Sequence, residues 1–133
     1  MVVIKQCLFF MAICVVMTSC VTTQRTDLFF GTDIPGGGHV SPQQWKSFSD
    51  SAIASRFPGG YTEWDADGRW LDKETRQTIT EHTRIVTLIG KKGKEREAAL
   101  NAVTQAYIIQ YKQQAVLRLD TKSRVQFISA AHK

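Results

Sequence analysis

The sequence predicts an α+β fold of ferredoxin-like βαββαβ order: an antiparallel sheet, two helices on one face, and a short extra C-terminal strand. Three observations predict it. The 133 residues suit one domain, with 43% hydrophobic and 22% charged residues, an ordinary globular composition. Apolar runs rich in β-branched and aromatic residues alternate with two stretches of helical periodicity. Clusters of glycine, proline and short polar residues separate these runs.

Leu28-Phe29-Phe30 opens the first strand, predicted from Leu28 to Ile34. Pro35-Gly36-Gly37-Gly38-His39 is a loop by composition. Ser41-Pro42-Gln43-Gln44 starts a helix: Ser41 can cap it, Pro42 suits its first position, and Gln44 completes a capping box. Trp45, Phe48 and Ala52 recur at spacings of three and four, with Ile53 beside them. Trp45 and Phe48 are therefore expected in the core. Phe57-Pro58-Gly59-Gly60 stops the helix.

Tyr61 to Trp64 is β-prone, and Asp67-Gly68 predicts a hairpin turn ahead of Arg69-Trp70. Thr78 to Ile89 is the longest strand candidate, and its nearly all-apolar second half suits a central strand. After the basic turn Gly90-Lys91-Lys92-Gly93, a helix runs from Lys94 to Gln113, with Leu100, Val103, Tyr107 and Tyr111 on one face. Ala115 to Asp120 is a strand, and Val125 to Phe127 is the short final one. Two helices leave one sheet face uncovered, with Trp64, Trp70, Leu88 and Phe30 as its candidate apolar side chains. A bare apolar sheet face points to a partner, a ligand or a second copy.

The N-terminus carries a different message. Lys5 precedes an apolar run from Cys7 to Met17, 11 residues long. A membrane span needs about 20 apolar residues, whereas the apolar part of a secretory signal needs about 7–15. Residues 1–19 therefore read as a signal peptide. Met17-Thr18-Ser19-Cys20 resembles the lipobox of bacterial lipoproteins. That resemblance implies cleavage between Ser19 and Cys20 and lipid attachment at Cys20. It also implies an anchor facing the periplasm, and with Val21 after the cysteine, the outer membrane.

The domains expected are the signal 1–19, a lipidated tether 20–26, a single α+β domain 27–129 and a tail 130–133. Cys7 and Cys14 leave with the signal, so the mature chain keeps no free thiol for a nucleophile, a disulfide or a metal site. Its net charge is +4, since Lys5 is the one charged residue removed from a total of +5. That balance favours solubility first and anionic lipid or acidic partners second. Nucleic acid is not an expected partner in the envelope.

The patterns that would carry chemistry are incomplete in this chain. Gly90-Lys91-Lys92-Gly93 has too few residues between its glycines for a phosphate loop, and Glu95 follows. Asp65, Asp67 and Asp72 lack the remaining ligands of a calcium loop. His39, His82 and His132 show no metal-ligand spacing. No nucleophile elbow is present. No catalytic residue, metal or cofactor is assigned. Trp64 and Trp70, flanking the expected hairpin, and His39, in the glycine loop, are the candidate ligand or partner contacts.

Several of these segments together resemble one bacterial family, a domain of unknown function numbered 3574. The residues are Leu28-Phe29-Phe30-Gly31, Trp45 and Phe48, Arg56-Phe57-Pro58-Gly59-Gly60, Asp67-Gly68-Arg69-Trp70, the Thr83 to Leu88 strand, Tyr107 to Tyr111 and Ala115-Val116-Leu117-Arg118. The resemblance covers Asp27 to Phe127. It implies a small secreted or lipid-anchored protein and no particular activity. The sequence thus leads to a membrane-anchored envelope lipoprotein that acts as a binding or interaction module, with a homodimer or an envelope protein as partner. The alternative is a small-molecule-binding protein or enzyme with a pocket on the open sheet face of a dimer.

Overall fold

Alternation along the strands decides which side chains meet the helices. The computed structural model describes residues 22–130, so the signal segment, Ser19 and Cys20 lie outside the described residues. In chain order the elements are β1 (Thr23–Gly31), α1 (Pro42–Phe48), β2 (Thr62–Leu71), β3 (Thr78–Lys91), α2 (Lys94–Tyr111) and β4 (Leu117–Lys122). The chain after α1 continues as a π-helical segment, Ser49–Ala54. The result is an α+β fold with a four-stranded antiparallel sheet, in the order β2-β3-β1-β4, and two helices.

Leu28 and Phe30 of β1 and Val86 and Leu88 of β3 point to the helices and are buried. Trp45, Phe48 and Ile53 meet them from one side, and Leu100, Val103, Tyr107 and Tyr111 of α2 from the other. Phe30 packs on Tyr107 with ring centroids 4.8 Å apart, and Phe48 on Tyr107 at 5.1 Å. The Tyr107 hydroxyl donates to the Gly31 carbonyl at 2.8 Å, and burial pushes its pKa well above the ordinary tyrosine value. The Ser41 capping box forms as expected: Gln44 N–H donates to Ser41 Oγ at 3.2 Å, and Ser41 N–H donates to Gln44 Oε1 at 2.8 Å.

A charged network ties α2 to the edge strand. Arg118 donates to both Glu97 oxygens at 2.8 Å and pairs with Asp120 at 2.8 Å. Thr26 Oγ1 donates to Asp120 at 2.7 Å, and Arg96 reaches Thr26 Oγ1 and the Leu88 carbonyl at 3.3 and 3.1 Å. Hydrogen bonding from Arg118 holds Glu97 below the usual carboxylate range. Burial alone would raise Asp120, but hydrogen bonds from Thr26 and Arg118 outweigh it and hold this carboxyl low as well.

Five expectations change. First, β1 begins at Thr23, so the stretch read as tether to Thr26 is largely strand; it is polar, but it lies between β3 and β4, where its backbone pairs on both sides. Second, Asp67-Gly68 is not a turn. The β2–β3 ladder continues unbroken to Leu71 opposite Thr78, and the turn forms at Asp72. There the Asp72 carboxylate accepts from the Glu74 and Thr75 N–H groups at 2.9 and 2.7 Å. Third, Val125 to Phe127 is not a strand. Ser123 N–H donates to the Thr23 carbonyl at the start of β1, and residues 124–130 run on without strand structure. Fourth, Phe30 and Leu88 face the helices rather than the open side, because the register puts Leu88 opposite Thr26 on the same side as Phe30. Fifth, β4 is displaced to Leu117–Lys122 from the expected Ala115–Asp120.

Candidate functional site

The uncovered face of the sheet is assembled from the other half of each strand. The register aligns Trp64, Ile85, Phe29 and Leu117 across all four strands, one apolar row spanning the whole sheet. Trp64 is 51% exposed and Leu117 64% exposed. Trp70, Ile79, Ile89 and Leu119 extend the apolar surface along the strands and are also exposed. These exposed large side chains make the open face a candidate binding surface.

On one side of that row lies a polar step. Asp27 is nearly buried and accepts from Thr87 Oγ1 at 2.5 Å. Thr87 Oγ1 accepts in turn from the Trp64 indole N–H at 3.0 Å. Arg25 Nε donates to the Asp27 oxygens at 3.0 and 2.9 Å. The chain of bonds fixes the Trp64 ring on the sheet, so its exposed edge is held in place rather than free to turn.

On the other side the strands carry small residues. Ala66, Thr83 and Gly31 form the next step, followed by Gly68 and Glu81. A Cβ at Gly31 would collide with the Glu81 carboxylate, so the glycine leaves that carboxylate room to lie over β1. The depression has a volume of about 330 Å³ and is walled by Phe29 and Leu117. A neighbouring cleft of about 450 Å³ shares Glu81 and is bounded by Trp70, Ile79 and Gln113.

Of the residues singled out by sequence, Trp64 and Trp70 both lie on this face, six residues apart along β2. His39 does not. It lines a cleft of about 510 Å³ on the helix-covered side, together with Asp67, His82 and Arg84. There His39 pairs with Asp33 at 3.0 Å, and His82 with Asp65 at 3.3 Å and Asp67 at 3.5 Å. Arg84 also holds Asp65, at 2.5 Å. Asp72 is engaged in its own turn, so the three aspartates do not gather. Among the described residues, no group of three or more His, Cys, Asp or Glu is placed to hold a metal ion.

Sequence reading passed over Phe29, Ile85, Leu117, Asp27, Thr87 and Glu81. One signal was available for Phe29. Adjacent residues on a strand point to opposite faces, so Phe29 and Phe30 cannot both meet the helices.

The family model described as a protein of unknown function, DUF3574, matches residues 25–127. No curated protein matches the chain. Among solved structures, the chain is similar to a phage SAM lyase in complex with S-methyl-5′-thioadenosine. The identity is 13% and the TM-score 0.55, over 75% of this chain and 81% of that one. It is also similar to a phage SAM lyase in the apo state, at 15% identity and a TM-score of 0.56, over 84% and 93% of the two chains. At these identities the likeness is one of fold.

Proposed function

The chain belongs to DUF3574, a family of unknown function, and we propose that it is an envelope lipoprotein whose open sheet face binds a second copy of itself. In this reading residues 1–19 are a signal peptide, Cys20 carries the lipid, and the domain sits on the periplasmic side of the outer membrane. The strand order read from the other edge, β4-β1-β3-β2, with one helix after β1 and one after β3, supports a ferredoxin-like assignment.

The observation that carries the reading is the row Trp64-Ile85-Phe29-Leu117. About twenty side chains point to the open face, in line with the roughly 20–30 residues a side of a stable protein interface. A two-fold axis running along the strands, between β3 and β1, stacks this row on itself in reverse. Trp64 of one copy then meets Leu117 of the other, a self-complementary match of the kind an isologous dimer requires. The same axis leaves both N-termini at one end, so two lipid anchors enter one membrane.

The test is sedimentation of the detergent-solubilised protein. A dimer that becomes a folded monomer on Leu117→Asp is the expected result; a wild-type monomer overturns the reading. Mass spectrometry reads the anchor separately, with an acylated chain starting at Cys20 expected.

A second reading is favoured by the small-residue floor under Glu81. The depression can take a compact ligand, and the phage SAM lyase of related fold binds S-methyl-5′-thioadenosine. A rise in melting temperature with that nucleoside, lost in Gly31→Leu, is the result this reading expects.

A further inference from the structure

The end of the sheet where β1 begins gathers features that neither the Trp64 row nor the Glu81 clefts explain. Thr22 holds the basic turn, its carbonyl accepting from Lys92 N–H at 3.1 Å. Thr23 pairs with Lys91 and Gln24 with Lys122, so the ends of β3 and β4 lie beside the chain entry. Lys91, Lys92, Lys94, Lys122 and Arg124 are all exposed here; Glu95 is the exposed acidic residue beside them, and Glu97, which also feels Lys92, is paired with Arg118. The segment after β4 turns over the same end, where Val125 and Phe127 wall a cleft with Thr23, Ile89 and Lys91. Phe127 is 97% exposed and Ile128 92% exposed.

We infer that this end is a membrane-docking collar: basic side chains around the chain entry meet anionic lipid head groups, while Phe127 and Ile128 insert among them. The inference rests on the lipid anchor proposed above. Cys20 stands two peptide steps before Thr22, so their Cα atoms are within about 8 Å of each other. A lipid on Cys20 therefore brings the collar against the bilayer. Five exposed basic groups against Glu95, with Glu97 already neutralised by Arg118, complement an anionic surface, and exposed Phe and Ile side chains are the apolar partners such a surface accepts. The strands then stand away from the membrane, which holds the open face upright and puts the Glu81 clefts at the distal end. Docking of this kind gives the domain one orientation, which an acyl chain on a flexible tether does not.

The experiment uses the full chain purified from its membranes and carrying Ile128→Cys, with Lys73→Cys in the β2–β3 turn as the distal control. Each is labelled with a polarity-sensitive fluorophore and reconstituted into phosphatidylcholine vesicles with or without phosphatidylglycerol. The expected result is about tenfold weaker iodide quenching at position 128 on the anionic vesicles, from insertion into the head-group layer, with position 73 freely quenched. Lys91→Glu with Lys122→Glu, or about 1 M salt, should restore quenching at 128. Equal quenching at 128 and 73, or protection at 128 that ignores lipid charge, overturns the inference. The intact mass of the same sample separates the two readings. An acylated chain with position 128 exposed overturns the collar alone; an unacylated chain overturns the anchor, and its failure to float with phosphatidylglycerol vesicles then overturns the collar too.

Discussion

Phe29 and Phe30 are neighbours in the chain and lie on opposite sides of one sheet, in surroundings that share little. Phe30 is sealed among Trp45, Phe48 and Tyr107, with no exposed surface. Phe29 belongs to a row of equal apolar character that nothing in the described chain covers. The two faces use the same strands, the same residue types and the same alternation. What separates them is whether the described residues supply a cover. A sealed face contributes to folding, whereas an open face leaves its apolar surface in water.

The largest expected effect tests that contrast directly. Phe30→Ala should lower unfolding free energy by about 3–5 kcal/mol, since it leaves a cavity that the rings around it cannot fill. Leu117→Ala on the open face should cost the monomer less than about 0.5 kcal/mol, as its side chain is already in solvent. Urea unfolding of both variants, at a concentration where wild type is monomeric, measures the gap. Similar losses would mean that the open face is covered in the monomer and would break the comparison.

Next comes the charged network at the edge. Arg118→Ala should cost about 1 kcal/mol at neutral pH, a figure held down by solvent screening of the partly exposed Glu97. The pH dependence has a definite sign. Glu97 and Asp120 both have pKa values below their ordinary ones in the folded chain. Their contribution is present above the unfolded carboxylate range and is lost as pH falls through the folded values. The difference between wild type and Arg118→Ala should therefore be widest near neutrality and close in acid. A gap that widens in acid would rule out the network as its source. A smaller effect is expected at the helix start: Ser41→Ala should cost about 1 kcal/mol or less by leaving the Gln44 N–H uncapped. The same loss in an isolated Val40-to-Arg56 peptide's helicity, read by circular dichroism, would show that this contribution is local and indifferent to either face.

Much of the helix-covered half was legible in order. Ser41, Pro42 and Gln44 mark a helix start because capping is a local interaction within one turn. Periodicity marks Trp45 and Phe48 as core and sets Tyr107 and Tyr111 on one helix face, and all four are buried. Asp67-Gly68 misled for the converse reason. Its turn propensity is also local, but ten consecutive pairs between β2 and β3 override it, and Asp72 offers the turn a better set of hydrogen bonds. The candidate site was legible only in part. Trp64 and Trp70 were found by residue type, whereas Asp27, Thr87 and Glu81 have no local signature at all. Asp27 is 60 residues from the threonine that bonds it.

The sequence by itself determined the α+β class, two helices set among strands, the start of α1 and the core residues that the helices supply, because periodicity, capping and composition act within a few residues. The tertiary structure alone decided the register. Only pairing four distant strands could bring Trp64, Ile85, Phe29 and Leu117 into one row. The same pairing parted His39 from the two tryptophans, and it drew Lys91, Lys122 and Phe127 to the end where β1 begins. Strand pairing joins residues without regard to their separation in sequence, and a shift of one residue in any strand would send its member of the row to the opposite face.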